Sequence, residues 1–150
     1  MKNVKIFFNQ PEELAPTNIE PLTRITGLYF IFLGEKRIPY PFGNSRLIYI
    51  GMSEKRTNSI GNRLSDHYTG RSGNIGLTNY RKAEGLLFTY INFEMLRAIW
   101  KSAIQDLESY LILDFVSKYG VYPICNNKTG FEVLEHDLKT IPEVDWHYFE

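Results

Sequence analysis

The sequence predicts an α+β fold: a small three-stranded antiparallel sheet flanked by helices. Three observations predict it. Residues 25–33 (ITGLYFIFL), 46–51 (RLIYIG) and 85–91 (GLLFTYI) are short runs rich in aliphatic and aromatic residues, the composition of strands. The first two are joined by GEKRIPYPFGNS, in which Gly34, Pro39, Pro41 and Gly43 break regular structure. That link suits a hairpin and is too short for a comfortable crossover helix, so the two strands run antiparallel. From Phe93 to Tyr119, Leu96, Ile99, Trp100, Ala103, Ile104, Leu107, Leu111 and Phe115 recur at helical spacing.

The remaining elements follow in order. Residues 1–24 form a lead-in, with an edge strand at Val4 to Phe8 and then a loop marked by Pro11, Pro16 and Pro21. After the second strand, MSEKRTNS is a loop. IGNRLSDHY makes a short helix with Leu64 and Tyr68 toward the core. TGRSGNIGLTN is expected to be a mobile glycine-rich loop. A break near Lys101 and Ser102 divides the later helical stretch into a short and a long helix. Gly120 caps the long one, with Lys118 favourably placed in the last turn. PICNN is a loop, and GFEVLEHDLKTI a small strand or helical turn. The domain reading is a lead-in over 1–24, a folded unit over 25–130, and an acidic extension over 131–150 packed on the same domain.

With 150 residues, 43% of them apolar, the chain suits one domain with a proper core. No run approaches the length of a membrane helix, and the N-terminus does not read as a signal peptide. A cytoplasmic protein that avoids membranes is expected. Cys125 is the single cysteine, which excludes an internal disulfide and a thiolate cluster. It reads as a small buried apolar residue. Seventeen basic and seventeen acidic residues balance overall, which argues mildly against tight nonspecific nucleic-acid binding. The distribution is uneven. Residues 52–82 hold Lys55, Arg56, Arg63, Arg71, Arg81 and Lys82 against Glu54 and Asp66, whereas the last twenty residues are acidic. One face can attract phosphate while another repels it.

Several polar residues stand out. Arg63 and His67 lie four apart and share a side of their helix. A guanidinium fork beside an imidazole suits an oxyanion; the plain alternative is a solvent-facing stripe. Glu108 sits on or beside the apolar stripe of the long helix, where a carboxylate is costly unless paired. A metal ion or a tyrosine hydroxyl are partners of the right kind, and a solvent-reaching edge glutamate is the alternative. Asp106 and Asp114 read as surface residues. Asn126 and Asn127 are turn formers unless their loop returns beside Glu108. His136 and His147 match no metal spacing.

Taken together, these pieces resemble the GIY-YIG nuclease superfamily. Gly27, Leu28 and Tyr29 correspond to its first motif, with Leu for Ile, and Tyr49, Ile50 and Gly51 to its second. Arg63 and His67 in NRLSDHY, Glu108 in LESYLI and Asn126 in PICN follow in the order of that family. The likeness spans Gly27 to about Asn126. The links before Tyr49, before Arg63 and before Asn126 are longer than usual in the family, and Met52 stands where many members have lysine. Asn127 is therefore an alternative to Asn126, and Asp114 to Glu108.

The resemblance implies a metal-dependent endonuclease that hydrolyses DNA phosphodiester bonds. The alternative is a noncatalytic nucleic-acid-binding domain of the same fold. It assigns catalytic roles to Tyr29, Tyr49, Arg63, His67, Glu108 and Asn126, and places Mg2+ or Mn2+ on Glu108. Tyr49 is the base-like tyrosine with Tyr29 its partner, and His67 is a competitor for that role. Lys55, Arg56, Arg71, Arg81 and Lys82 would meet the backbone of duplex or branched DNA. A protein partner or a homodimer is compatible with the neutral net charge.

Overall fold

The computed structural model describes residues 2–97, 100, 103–127, 133 and 140–150. Its organising strand is β3 (Gly27–Leu33), buried along its whole length. A strand covered on both faces has no reason to alternate, which accounts for the unbroken run GLYFIFL. It pairs antiparallel with β6 (Leu47–Ser53) on one side and with β7 (Leu86–Asn92) on the other. These are the three expected strands. A two-residue strand, β2 (Glu12–Glu13), adds to β7 and gives a four-stranded sheet in the order β2-β7-β3-β6.

Helices cover both faces of the sheet, so both of its apolar faces are buried. On one face Leu28, Phe30 and Phe32 meet Leu107, Leu111 and Phe115 of α5 (Ile104–Tyr119), together with Trp146 and Phe149. On the other, Tyr29, Ile31 and Leu33 meet Ile60 and Leu64 of α2 (Ile60–Thr69) and Leu77 of α3 (Ile75–Ala83). Leu64 is fully buried, and Tyr68 packs partly buried beside it. The α5 C-terminus follows the expected chemistry: Gly120 takes φ 96°, a left-handed conformation, and its N–H returns to Val116 O at 2.7 Å.

Some expectations change. The lead-in strand is β1 (Lys2–Ile6), and it pairs in parallel with β8 (Thr140–Val144) rather than at the edge of the main sheet. Two prolines of the expected loop open helical turns, α1 (Pro16–Ile19) and a 3-10 turn over Glu20–Leu22, because a missing N–H costs nothing in a first turn. The link between the tyrosine strands forms a small hairpin, β4 (Ile38–Tyr40) and β5 (Gly43–Ser45). The glycine-rich stretch is helical from Ile75. Asn74 Oδ1 accepts the Leu77 N–H at 3.0 Å, and Leu77 is buried, so a cap and one apolar anchor outweigh the glycines. After α4 (Phe93–Leu96), Trp100 and Ala103 lie outside helix. Lys101 and Ser102, and most of residues 130–139 including His136, lie outside the described residues.

The C-terminal turn Trp146–Phe149 is tied down at several points. Trp146 Nε1 donates to Asp114 Oδ2 at 2.8 Å, and Arg46 N donates to Phe149 O at 2.7 Å. The Tyr119 hydroxyl donates to Glu150 Oε1 at 2.7 Å. His147 is exposed and pairs with Glu150. Among the described residues no helix is long and apolar enough to cross a membrane.

Candidate active site

The two tyrosine motifs sit opposite each other in the sheet. Tyr29 of β3 pairs directly with Gly51 of β6. A Cβ at position 51 would fall 2.3–2.6 Å from atoms of the Tyr29 ring, so the ring occupies the space that a side chain would fill. The pairing runs on in regular register to Ile31 opposite Tyr49, and only beyond it, between Ile31 and Phe32, does a bulge in β6 shift the register. Tyr49 thus lies diagonally across from Tyr29 on the same face, their ring centroids 6.0 Å apart and stacked.

Helix α2 brings His67 and Arg63 to these rings. Ser59 caps it by accepting the Asn62 N–H at 3.1 Å. The Tyr29 hydroxyl and His67 Nε2 are 3.0 Å apart, and the Tyr49 and His67 rings meet edge-on at 5.0 Å. His67 is buried and so is no solvent-facing residue. On its far side Nδ1 lies 2.9 Å from Ser72 Oγ. Arg63 is half-buried, and its Nε is buried with no hydrogen-bond partner among the described residues. Glu108 is half-buried on α5, and its charge reaches both phenols.

The electrostatics are those of a dry polar cluster. Burial first, then the neighbouring Tyr49, hold the Tyr29 phenol well above its ordinary 10, with Arg63 opposing. Tyr49 is also raised by burial and by Glu108, while its hydrogen bond with Tyr29 and the charge of Arg63 pull it down. Tyr49 is therefore the easier of the two to ionise. His67 is lowered from 6.5 to about 4, chiefly by burial and then by Arg63, against Asp66. It is neutral at neutral pH and is not a reservoir of positive charge.

That shift has a stability consequence. The folded-state value lies below the unfolded one, so the unfolded chain binds the proton more readily between the two. Stability is complete above about 6.5 and declines as pH falls toward 4, by up to about 3 kcal/mol. Urea denaturation at pH 7, 5.5 and 4 should show this loss, and His67→Gln should flatten it. An equally steep decline in the variant would assign it to other groups.

Asn126 does something different from these side chains. Its Oδ1 accepts the Ile50 N–H at 3.0 Å and its Nδ2 donates to Ile50 O at 2.9 Å. With Cys125 N donating to Ile48 O at 2.8 Å, this loop covers the open edge of β6 where Tyr49 stands. Asn126→Ala strands two backbone groups and should cost about 1–3 kcal/mol in urea denaturation; a neutral result would mean that water replaces the amide freely. Asn127 is exposed and lines a cleft of about 280 Å3 with Tyr49, His67, Ser72, Asn74 and Cys125. Cys125 itself is buried, and burial pushes its thiol up to about 12. Asp114 is occupied by Trp146, which leaves Glu108 as the carboxylate of α5 that bears on the tyrosines.

No family model matches the chain, and neither a curated protein nor a solved structure matches it significantly. The site therefore has to be judged on its own chemistry.

Among the described residues no three or more His, Cys, Asp or Glu side chains converge as a metal cage. A cation held at Glu108 would take that carboxylate and complete its shell in part with water. Mg2+ and Mn2+ suit hard oxygen donors, and Mg2+ usually keeps several waters, so the donor chemistry fits them. Of the expected backbone-contacting residues, Lys55 and Lys82 are exposed. Arg71 reaches Thr69 Oγ1 at 3.3 Å, with Asp66 at 3.7 Å. The Arg81 guanidinium lies over the Tyr68 ring at 5.1 Å. Arg56 is held by both oxygens of Glu94, which offsets its charge. Ser72 escaped sequence reasoning. Its loop carried no catalytic pattern, and only its position five residues after His67 hinted at a contact.

Proposed function

We propose that this protein is a metal-dependent endonuclease of GIY-YIG type acting on DNA phosphodiester bonds. The observation that carries the reading is convergence. Tyr29 and Tyr49 of two neighbouring strands, Arg63 of α2 and Glu108 of α5 interact as one group, and they are the residues the motif resemblance singles out.

Each has a chemical task. Arg63 would donate its unspent Nε–H and the rest of its fork to the nonbridging phosphate oxygens, where charge builds in the transition state. Tyr49, lining the cleft, would orient the attacking water and take its proton. Tyr29 would hold Tyr49 by a hydrogen bond that strengthens when Tyr49 is anionic. His67, neutral, would anchor Tyr29 from behind. What a divalent cation on Glu108 would supply is polarisation of the scissile phosphate and stabilisation of the leaving oxygen. Asn126 would keep β6 in place and touch no substrate. Lys55, Arg71, Arg81 and Lys82 would position the backbone without reading sequence.

A noncatalytic DNA-binding domain is the second reading. It is favoured by the upward shift of both phenols, which leaves a base scarce at neutral pH. Strand cleavage decides between them. Purified protein should nick supercoiled plasmid with Mg2+ or Mn2+ and not with chelator. Absence of cleavage on plasmid, branched and single-stranded DNA, with binding retained, would establish the second reading.

A further inference from the structure

The buried cluster touches a residue outside it. Ser72 is exposed, but its hydroxyl oxygen lies 2.9 Å from Nδ1 of the buried His67. The same oxygen accepts the Asn74 N–H at 3.3 Å. The loop is fixed by further bonds: Ser72 N donates to Asp66 O at 3.1 Å, and Asn74 Nδ2 donates to Cys125 O at 2.9 Å. Ser72 is thus held in one place beside the imidazole.

A neutral imidazole carries one proton, so its two sides are linked. If Nδ1–H donates to Ser72, then Nε2 is an acceptor and takes the Tyr29 hydroxyl proton. If Ser72 donates to Nδ1, then Nε2–H donates to Tyr29, whose own proton is free for Tyr49. Ser72 Oγ already accepts from Asn74, which fills one of its two acceptor sites and leaves its proton free to be aimed at Nδ1.

We propose that Ser72 is a positioning residue that holds His67 as the Nε2–H tautomer and so directs the Tyr29 hydroxyl proton toward Tyr49. Its effect on catalysis rests on the nuclease reading; the tautomer does not. Other charged or titratable groups bearing on this network are Arg63 and Asp66 on α2, Arg71 beside Asp66, Glu108 from α5 and Cys125 in the cleft wall. The contacts at the two imidazole nitrogens are Tyr29 at Nε2 and Ser72 at Nδ1.

The test is long-range 15N NMR of the His67 ring in the full chain at pH 7, in wild type, Ser72→Ala and Ser72→Thr. Wild type and Ser72→Thr should show a protonated Nε2. Ser72→Ala should shift population toward Nδ1–H, as Tyr29 then competes for Nε2. In plasmid nicking, Ser72→Ala should be about tenfold slower at pH 7, with the rising limb of its pH profile moved up by about one unit; Ser72→Thr should restore both. A wild-type Nδ1–H tautomer, or one unchanged in Ser72→Ala, would overturn the proposal whatever the rates. If wild type cleaves no DNA, the nuclease reading fails while the NMR result still decides the tautomer.

Discussion

Glu108→Gln is expected to abolish metal-dependent strand cleavage, and Arg63→Ala to slow it by about 10²–10³-fold. The glutamine keeps the shape of the side chain and removes its charge. A cation held at Glu108 then loses a charged ligand. Arg63 acts differently. Its buried Nε has no hydrogen-bond partner among the described residues, so its loss breaks no described Nε bond and should tell mainly in the transition state. A Mn2+ binding titration would separate the two: only Glu108→Gln should show weakened Mn2+ binding. Asp114→Asn is the control. Its carboxylate holds Trp146, so the variant should lose stability and keep cleavage while folded. Wild-type rates in Glu108→Gln would remove the catalytic assignment.

Gly51→Ala is the second large effect, and it acts through Tyr29. The added methyl would meet ring atoms at 2.3–2.6 Å. Tyr29 is 1% exposed and has no open space to swing into. Overpacking of this kind costs about 1–3 kcal/mol. Pulling the hydroxyl from His67 Nε2 leaves buried polar groups short of a partner, for about 1–3 kcal/mol more. A lower urea midpoint and at least a tenfold loss of nicking should result. Adding Tyr29→Leu to Gly51→Ala makes room and should recover part of the stability, but no cleavage. If Gly51→Ala alone is as stable and active as wild type, the glycine is not what accommodates the ring.

Much of this was legible beforehand because it is local. The run GLYFIFL reads as a strand from its aliphatic and aromatic residues, and the structure adds that it is covered on both sides. The 3- and 4-residue spacing of Leu107, Leu111 and Phe115 located the face of α5, and Gly120 its end. Arg63 and His67 had to share a side of α2. The pairing of GLY with YIG was implied by a link too short for a crossover. The residue type of Cys125 was enough to place it inside.

Other features were settled by contacts distant in sequence. The register that sets Tyr49 diagonally over Tyr29 arises from pairing between strands, and no single strand encodes it. The burial that keeps His67 neutral comes from the sheet beneath α2. Asn126 clasps Ile50 from 76 residues away, and Trp146 claims Asp114 from 32 away. Ser72 sits in a stretch that reads as a flexible loop until Asn74 caps α3 and anchors to Cys125. The sequence by itself determined which residues are available and on which face of each element they lie. Only the tertiary structure decided which of them share a dry space, because hydrogen bonding and desolvation depend on neighbours that the chain brings together by folding.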